Sequence, residues 1–260
     1  MRLQRTIFLM IWTGIAVLAG SAQAALPDFA AMLKQVDALV TFEKTDFSAD
    51  CTVTQTQPGE GVTTNRVALF RRDAKAKYLM LILEPKSEKG KGYLKIDQGL
   101  WLYDPVNRRF EFTSSKERFQ NSNARNSDFT HSSFSSDYKV ISSRRDRLDA
   151  RDCWVLDLKA TSSDVAFPIT RIWISDDNLV RKTEDYSLSR QLLRTTAMPS
   201  YQQVGDRFVP VAITIVDALR GAKVGGQFQN ETTEIAISKP SLAPLPDALF
   251  TKAYLERYGR

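Results

Sequence analysis

Residues 84–129 read EPKSEKGKGYLKIDQGLWLYDPVNRRFEFTSSKERFQNSNARNSDF, a run of short apolar segments punctuated by turn residues. It opens with Pro85 and a lysine/glycine turn. A strand is predicted over 92–97, a tight turn at Gln98-Gly99, a strand over 100–104, an Asp104-Pro105 turn and a strand over 108–114. Short strands joined by short turns predict an antiparallel meander. A Ser/Asn-rich loop over 114–136 then breaks it and is the candidate gate.

Outward from this stretch, the same pattern continues on both sides. Strands are predicted over 47–57, 62–72 and 77–84. After the loop, they are predicted over 138–147, 153–160, 169–175, 179–186, 192–203, 207–217 and 223–237, with turn signals at Gly205-Asp206 and Arg220-Gly221. Val209, Val211, Ile213 and Ile215 make the cleanest period-2 run. Before the first strand, Phe29, Met32, Leu33, Val36, Leu39 and Val40 recur at helical spacing, so a helix is predicted over 27–42. One antiparallel sheet of about a dozen twisted strands must curl or close. The expected class is therefore mainly β (α+β): a curled antiparallel barrel with the helix and the loop as its lid.

The N-terminus reads as an export signal over 1–24. Arg2 and Arg5 precede an apolar run, Ile7 to Leu18, and Ala22-Gln23-Ala24 supplies a small-x-small cleavage pattern between Ala24 and Ala25. The alternative is an uncleaved anchor, but the run is short for a membrane span. Ser21 stands where a lipoprotein would need cysteine. Residues 25–260 then form one domain, soluble in the periplasm. The formal net charge is +6, of which Arg2 and Arg5 supply two. Mild, interspersed basicity and the lack of a recognition motif argue against nucleic-acid binding. The densest cluster, Arg144-Arg145-Asp146-Arg147, suits either an anionic partner or, more simply, a solvated strand end. The two cysteines, Cys51 and Cys153, can form one disulfide in an oxidising compartment. Strand alternation sets them on opposite faces, so two unpaired thiols stay open as the alternative.

Catalytic constellations are poorly supported. The one histidine, His131, lies in the polar loop without nucleophile-elbow glycines around it. One His and two distant Cys do not make a metal site. Asp176-Asp177 and Glu184-Asp185 read as a turn and as strand neighbours on opposite faces. Lys89-Gly90-Lys91-Gly92 lacks the setting of a phosphate-binding loop. No enzyme and no cofactor is expected. What remains is apolar surface that one helix cannot cover. A curled sheet lined by aliphatics and aromatics makes a cavity for an acyl chain. The expected lining is Leu81, Leu94, Ile96, Trp101, Tyr103, Phe110 and Phe112, and the expected gate carries Phe119, Asp128, Phe129 and Phe134.

Four motifs in order carry a family resemblance: Glu84-Pro85, Lys89-Gly90, Gly92-Tyr93-Leu94, Leu100-Trp101-Leu102-Tyr103-Asp104-Pro105 and Arg108-Arg109 in one segment; Asn126-Ser127-Asp128-Phe129-Thr130; Arg207-Phe208-Val209-Pro210; and the terminal Leu249-Phe250-Thr251 with Tyr254-Leu255-Glu256-Arg257. Together they resemble the LolA-like outer-membrane lipoprotein-sorting proteins. Asn126 replaces the glycine of that family's loop. The resemblance implies an incompletely closed barrel with helices as lid. It also implies a periplasmic carrier or chaperone for lipid or lipoprotein acyl chains, working between an inner-membrane export complex and an outer-membrane acceptor. A non-enzymatic sensor or adaptor that binds lipoproteins or a membrane protein is the alternative.

Overall fold

The computed structural model describes residues 26–96 and 99–258. The expected signal and its cleavage point lie outside them. Asp28 caps helix α1 (Phe29–Val40), its carboxylate accepting the Ala30 and Ala31 amides at 3.0 and 3.1 Å. Thirteen strands follow: β1 (Phe47–Gln57), β2 (Gly61–Arg72), β3 (Lys77–Glu84), β4 (Gly92–Ile96), β5 (Gly99–Asp104), β6 (Arg109–Thr113), β7 (Tyr138–Leu148), β8 (Arg151–Ala160), β9 (Ile169–Ser175), β10 (Val180–Tyr186), β11 (Leu192–Val204), β12 (Arg207–Val224) and β13 (Gln227–Ser241). Between β6 and β7 lies a short helix α2 (Phe134–Asp137), and α3 (Lys252–Tyr258) ends the described chain.

All thirteen strands form one sheet in the order β6-β5-β4-β3-β2-β1-β13-β12-β11-β10-β9-β8-β7. Every recorded pairing is antiparallel, and the edges β6 and β7 do not pair, so the barrel is curled but not closed. Among the described residues, only the β1–β13 pairing joins strands distant in sequence. Antiparallel order sorts the turns. Those after β1, β3, β5, β8, β10 and β12 lie at one end, here the upper end, and those after β2, β4, β7, β9 and β11 at the lower end.

The sheet buries residues on both faces. On the concave face, Phe47, Ala49, Cys51 and Val53 of β1 pack with Val67 and Leu69 of β2, Tyr78, Met80 and Ile82 of β3, and Ile235 of β13. Helix α1 covers the other half of that face. Its Leu33 and Val36 pack on Leu156, Leu158, Ile172 and Ile174, and Phe29 meets Trp154 edge-on at 5.2 Å. On the convex face, Leu79, Leu81, Leu94 and Tyr103 are covered by Leu249, Phe250 and Leu255 of the C-terminal tail. Cys51 lies in the concave cluster and Cys153 packs with Val155 and Trp173 on the opposite side. Both are free thiols, as the opposite faces of their strands suggested, and the possible disulfide does not form. Six steps of sheet order separate their strands, far beyond the reach of a bridge. The Arg144 to Arg147 cluster lies on edge strand β7, where charge blocks edge-to-edge pairing. Arg145 stacks 5.0 Å from the Trp154 ring and bonds Asp176 at 3.2 Å.

Arg72 ties the tail to the linker after α1. It donates to both Asp46 oxygens at 2.8 and 2.9 Å, to the Leu245 carbonyl and to Asp247. The hydrogen bond from Arg72 holds the Asp46 carboxyl below its ordinary value, against a smaller opposing effect of burial. A carboxyl depressed in the fold stabilises it above the unfolded value of about 3.9, and the contribution is lost as pH falls through the folded value. Relative to an unfolded chain at the same pH, amide exchange in α3 should therefore be slow at about pH 6 and quicken as pH falls below the unfolded value. In Asp46→Asn it should already be fast at the higher pH and change less on acidification. Equal pH profiles for the two proteins would exclude this role for Asp46.

Candidate ligand cavity

Between the concave face, α1 and the β6–β7 connection lies a cavity of about 1010 Å³. That is at the upper end of the range for ligand pockets, about 300–1,000 Å³. β12 and β13 supply Val209, Ile213, Ile215, Ile235 and Ile237; β2 and β3 supply Leu69 and Tyr78; α1 supplies Val36 and Val40. Alternation explains these positions, since each strand sends every second side chain inward. Met198 and Tyr201 of β11, with Leu179 and Val180, complete the wall opposite.

The β6–β7 connection enters the barrel in two parts with different roles. The first part, 114–129, is a plug. Phe119 is fully buried, with its ring 5.2 Å from Tyr93 and 4.9 Å from Phe129. The Asn123 amide donates to Thr233 Oγ1 at 2.7 Å and to Gln55 Oε1 at 3.2 Å. Arg118 pairs with Asp217 at 2.7 Å and donates to Asn123 Oδ1 at 2.6 Å. Asn126 Nδ2 donates to the Ser114 carbonyl at 2.9 Å. A buried loop must have its backbone and side-chain polar groups satisfied, and these Ser, Asn and Arg residues do much of that. The second part, 130–137, lies at the cavity rim against α1. There Asp37 accepts the Phe134 amide at 3.0 Å, the Ser135 amide at 2.7 Å and the Ser132 hydroxyl at 2.5 Å.

A charged cluster joins the plug to the cavity wall. Arg194 of β11, 9% exposed, forms a two-pronged pair with Asp128 at 2.7 and 2.9 Å. Its Nε donates to Asp185 of β10 at 2.7 Å, and Asp185 also accepts from Thr170 at 2.9 Å. The guanidinium lies 4.4 Å from the Phe167 ring centre. Burial works against the Arg194 charge, but the two carboxylates more than offset it and hold the proton firmly. Burial pushes the Asp185 carboxyl up, while Arg194 opposes that shift. At the lower end, Arg71 pairs with Asp73 at 2.6 Å and lies over the Phe42 and Phe47 rings. Two buried hydroxyls on cavity-lining residues, Tyr78 Oη and Thr196 Oγ1, have no hydrogen-bond partner within the protein.

This geometry relocates most of the lining expected from sequence. Of the seven residues, only Phe112 borders the cavity, on edge strand β6. Leu81, Leu94, Ile96, Tyr103 and Phe110 belong to the convex cluster beneath the tail. Trp101 is on that side too, with Lys252 of α3 held 3.5 Å over its ring and Phe112 edge-on at 5.7 Å. The cause is the tail, which makes the outer face of β3–β6 as apolar as the inner one. Of the gate residues, Asp128, Phe129 and Phe134 line the cavity and Phe119 lies within the plug. His131 borders the cavity through the rim segment. Sequence reasoning missed the Arg194 cluster, in which Asp128 lies 66 residues from Arg194 and Asp185 comes from the neighbouring strand. Val209, Ile213 and Ile215, from the cleanest alternating run of the sequence, line the cavity.

An unclosed barrel with a helix and an inserted loop over an apolar hollow is the LolA-like architecture, and the chain has it. A LolA superfamily protein from Nitrosomonas europaea aligns with 86% of this chain and 97% of its own, at 25% identity and a TM-score of 0.71. A putative outer membrane lipoprotein-sorting protein domain from Vibrio parahaemolyticus aligns with 88% of this chain and 98% of its own, at 18% identity and TM-score 0.75. A DUF1329 family protein from Desulfovibrio piger gives 87% and 97% coverage, at 17% identity and TM-score 0.75. No curated protein matches the chain. Residues 74–257 match a family described as "-like: Uncharacterized protein", and the chain belongs to that family.

Proposed function

We propose that this protein is a periplasmic carrier that holds lipid or lipoprotein acyl chains in the cavity, without covalent chemistry, on the way to the outer membrane. The observation that carries this reading is the hollow of about 1010 Å³ walled by aliphatic and aromatic side chains of the concave face. Burying an acyl chain there supplies about 0.8 kcal/mol per CH₂. The unpartnered Tyr78 and Thr196 hydroxyls suit a ligand with polar atoms beside its chains. The lipoprotein-sorting description of the Vibrio relative agrees with the reading. Among the described residues no helix is long and apolar enough to cross a membrane. Export by residues 1–24, a single domain over 25–260, loading from an inner-membrane complex and hand-over to an outer-membrane acceptor are parts of the same proposal.

The test is uptake of a fluorescent fatty acid, with native mass spectrometry of protein recovered from the periplasm. Bound lipid mass and saturable uptake are expected. Ile213→Trp projects into the hollow and should lower affinity at least about tenfold, with an overpacking cost within about 1–3 kcal/mol. Protein that carries no lipid and takes up no fatty acid would sink the reading.

A further inference from the structure

The β12–β13 hairpin outruns the sheet. β11 pairs with β12 only as far as Asp217, and β1 pairs with β13 only as far as Thr232. Beyond those points β12 and β13 continue alone, with Gly221 opposite Asn230 and Val224 opposite Gln227, before turning at Gly225-Gly226. β12 bulges between Val216 and Gly221, so the length of the overhang is set by β13, whose residues Gln227 to Glu231 reach about 16 Å at a strand rise of about 3.3 Å per residue. A two-stranded ribbon with no neighbour and no core is marginal in water. This one is nevertheless built with large apolar side chains in solvent: Leu219 is 52% exposed, Phe228 55% and Val224 36%.

Its charge is one-sided. From Ala218 to Asn230 there are two cations, Arg220 and Lys223, and no acid. Arg220 pairs at the base with Glu231 at 3.1 Å, while Lys223 makes no ion pair among the described residues. The upper end around the ribbon repeats the pattern. Its turns expose Val106 (81%) and Leu188 (75%), with Lys86, Lys89, Arg108 and Arg190 against Glu60 and Asp164. Among the described residues, the turns of the lower end expose no large apolar side chain.

We propose that the β12–β13 ribbon docks the protein on an anionic lipid bilayer, with Leu219, Val224 and Phe228 entering the headgroup region and Lys223 meeting lipid phosphates. Apolar tips flanked by cations and free of acids fit such a surface. A protein interface of ordinary size needs about 800 Å² of continuous surface per partner. The ribbon offers no such surface, because its exposed side chains are split between two faces: Lys223 and Phe228 share one, Val224 and Gln227 the other. The ribbon's base also touches the plug. Asp217 accepts Arg118 on one oxygen and the Leu219 and Arg220 amides, each at 2.9 Å, on the other. Contact at the bilayer is thereby one hydrogen-bonded residue away from the loop that fills the barrel.

Sedimentation with vesicles tests this, using protein that starts at Ala25, which contains every element described, so that the apolar leader does not bind lipid itself. With vesicles of phosphatidylethanolamine and phosphatidylglycerol, the unmutated protein should sediment, and less so as salt rises. Leu219→Ser/Val224→Ser/Phe228→Ser should lower that binding at least about tenfold while its unfolding transition stays in place. Phosphatidylcholine vesicles should retain little of either protein. A solvatochromic dye on Gly226→Cys should shift to the blue only with the anionic vesicles; both native thiols are buried, and burial pushes the Cys51 pKa up to about 12. Equal binding by the triple variant, or no binding by either protein, overturns the proposal, and the second result is the one a ribbon built for a protein partner would give. The readout needs no cavity ligand, so failure of acyl uptake leaves it intact.

Discussion

Replacing Arg194 with leucine is expected to destabilise the protein by about 3–5 kcal/mol, the range for breaking one member of a buried ion cluster. Among the described residues Arg194 is the only cation bonded to Asp185, which is 3% exposed, and it also bonds both oxygens of Asp128. Leucine would leave Asp185 buried without its partner and facing a second carboxylate. The loss should be visible in the urea midpoint. It should also show as faster amide exchange from Arg125 to Thr130, because Asp128 links that segment to β11. Asp185→Asn added to Arg194→Leu removes the stranded charge and should recover part of the loss, since eliminating a buried cluster costs less than breaking it. A single-variant loss below about 1 kcal/mol, the size of an exposed pair, would show that the cluster is not the tie between plug and wall.

The strand pattern was legible because most strands carry a clean period-2 signal and their turns carry Gly, Asp or Asn. Which face looks inward was not legible for β4 and β5. Leu94, Ile96 and Tyr103 pack under Leu249, Phe250 and Leu255, and Trp101 lies under Lys252, so alternation loses its meaning because both faces are covered. The ribbon was hidden by a glycine. Gly221 reads as a turn residue, yet the turn is at Gly225-Gly226, and Gly221 is needed because a Cβ there would lie 2.1 Å from the Gln229 carbonyl oxygen. The Arg194 cluster joins residues 66 apart in the chain, so no local spacing announces it. The Ser/Asn-rich loop is the subtlest case. Its composition predicts a solvated segment, but Ser122, Asn123 and Asn126 are among its most buried residues. Short polar side chains can serve water or a protein interior equally well, and composition does not say which.

That ambiguity gives the last prediction. If residues 114–129 were a solvated gate, Phe119→Ala would change stability by no more than about 0.5 kcal/mol, as surface substitutions do. As a plug residue with no exposed surface, packed on Tyr93, Phe129 and Ala124, Phe119 should cost about 3–5 kcal/mol when truncated. The size of the loss distinguishes the two pictures in one denaturation experiment. Its location distinguishes them again. The plug is held at Gln55, Thr233 and Asp217, whereas the rim segment after it is held separately by Asp37 of α1. Amide exchange in Phe119→Ala should therefore quicken from Glu117 to Asn126 and stay slow at Phe134 and Ser135. Equal quickening at both would mean that plug and rim open as one body. Ligand entry would then require the whole β6–β7 connection to leave the barrel, not the rim alone to move away from α1.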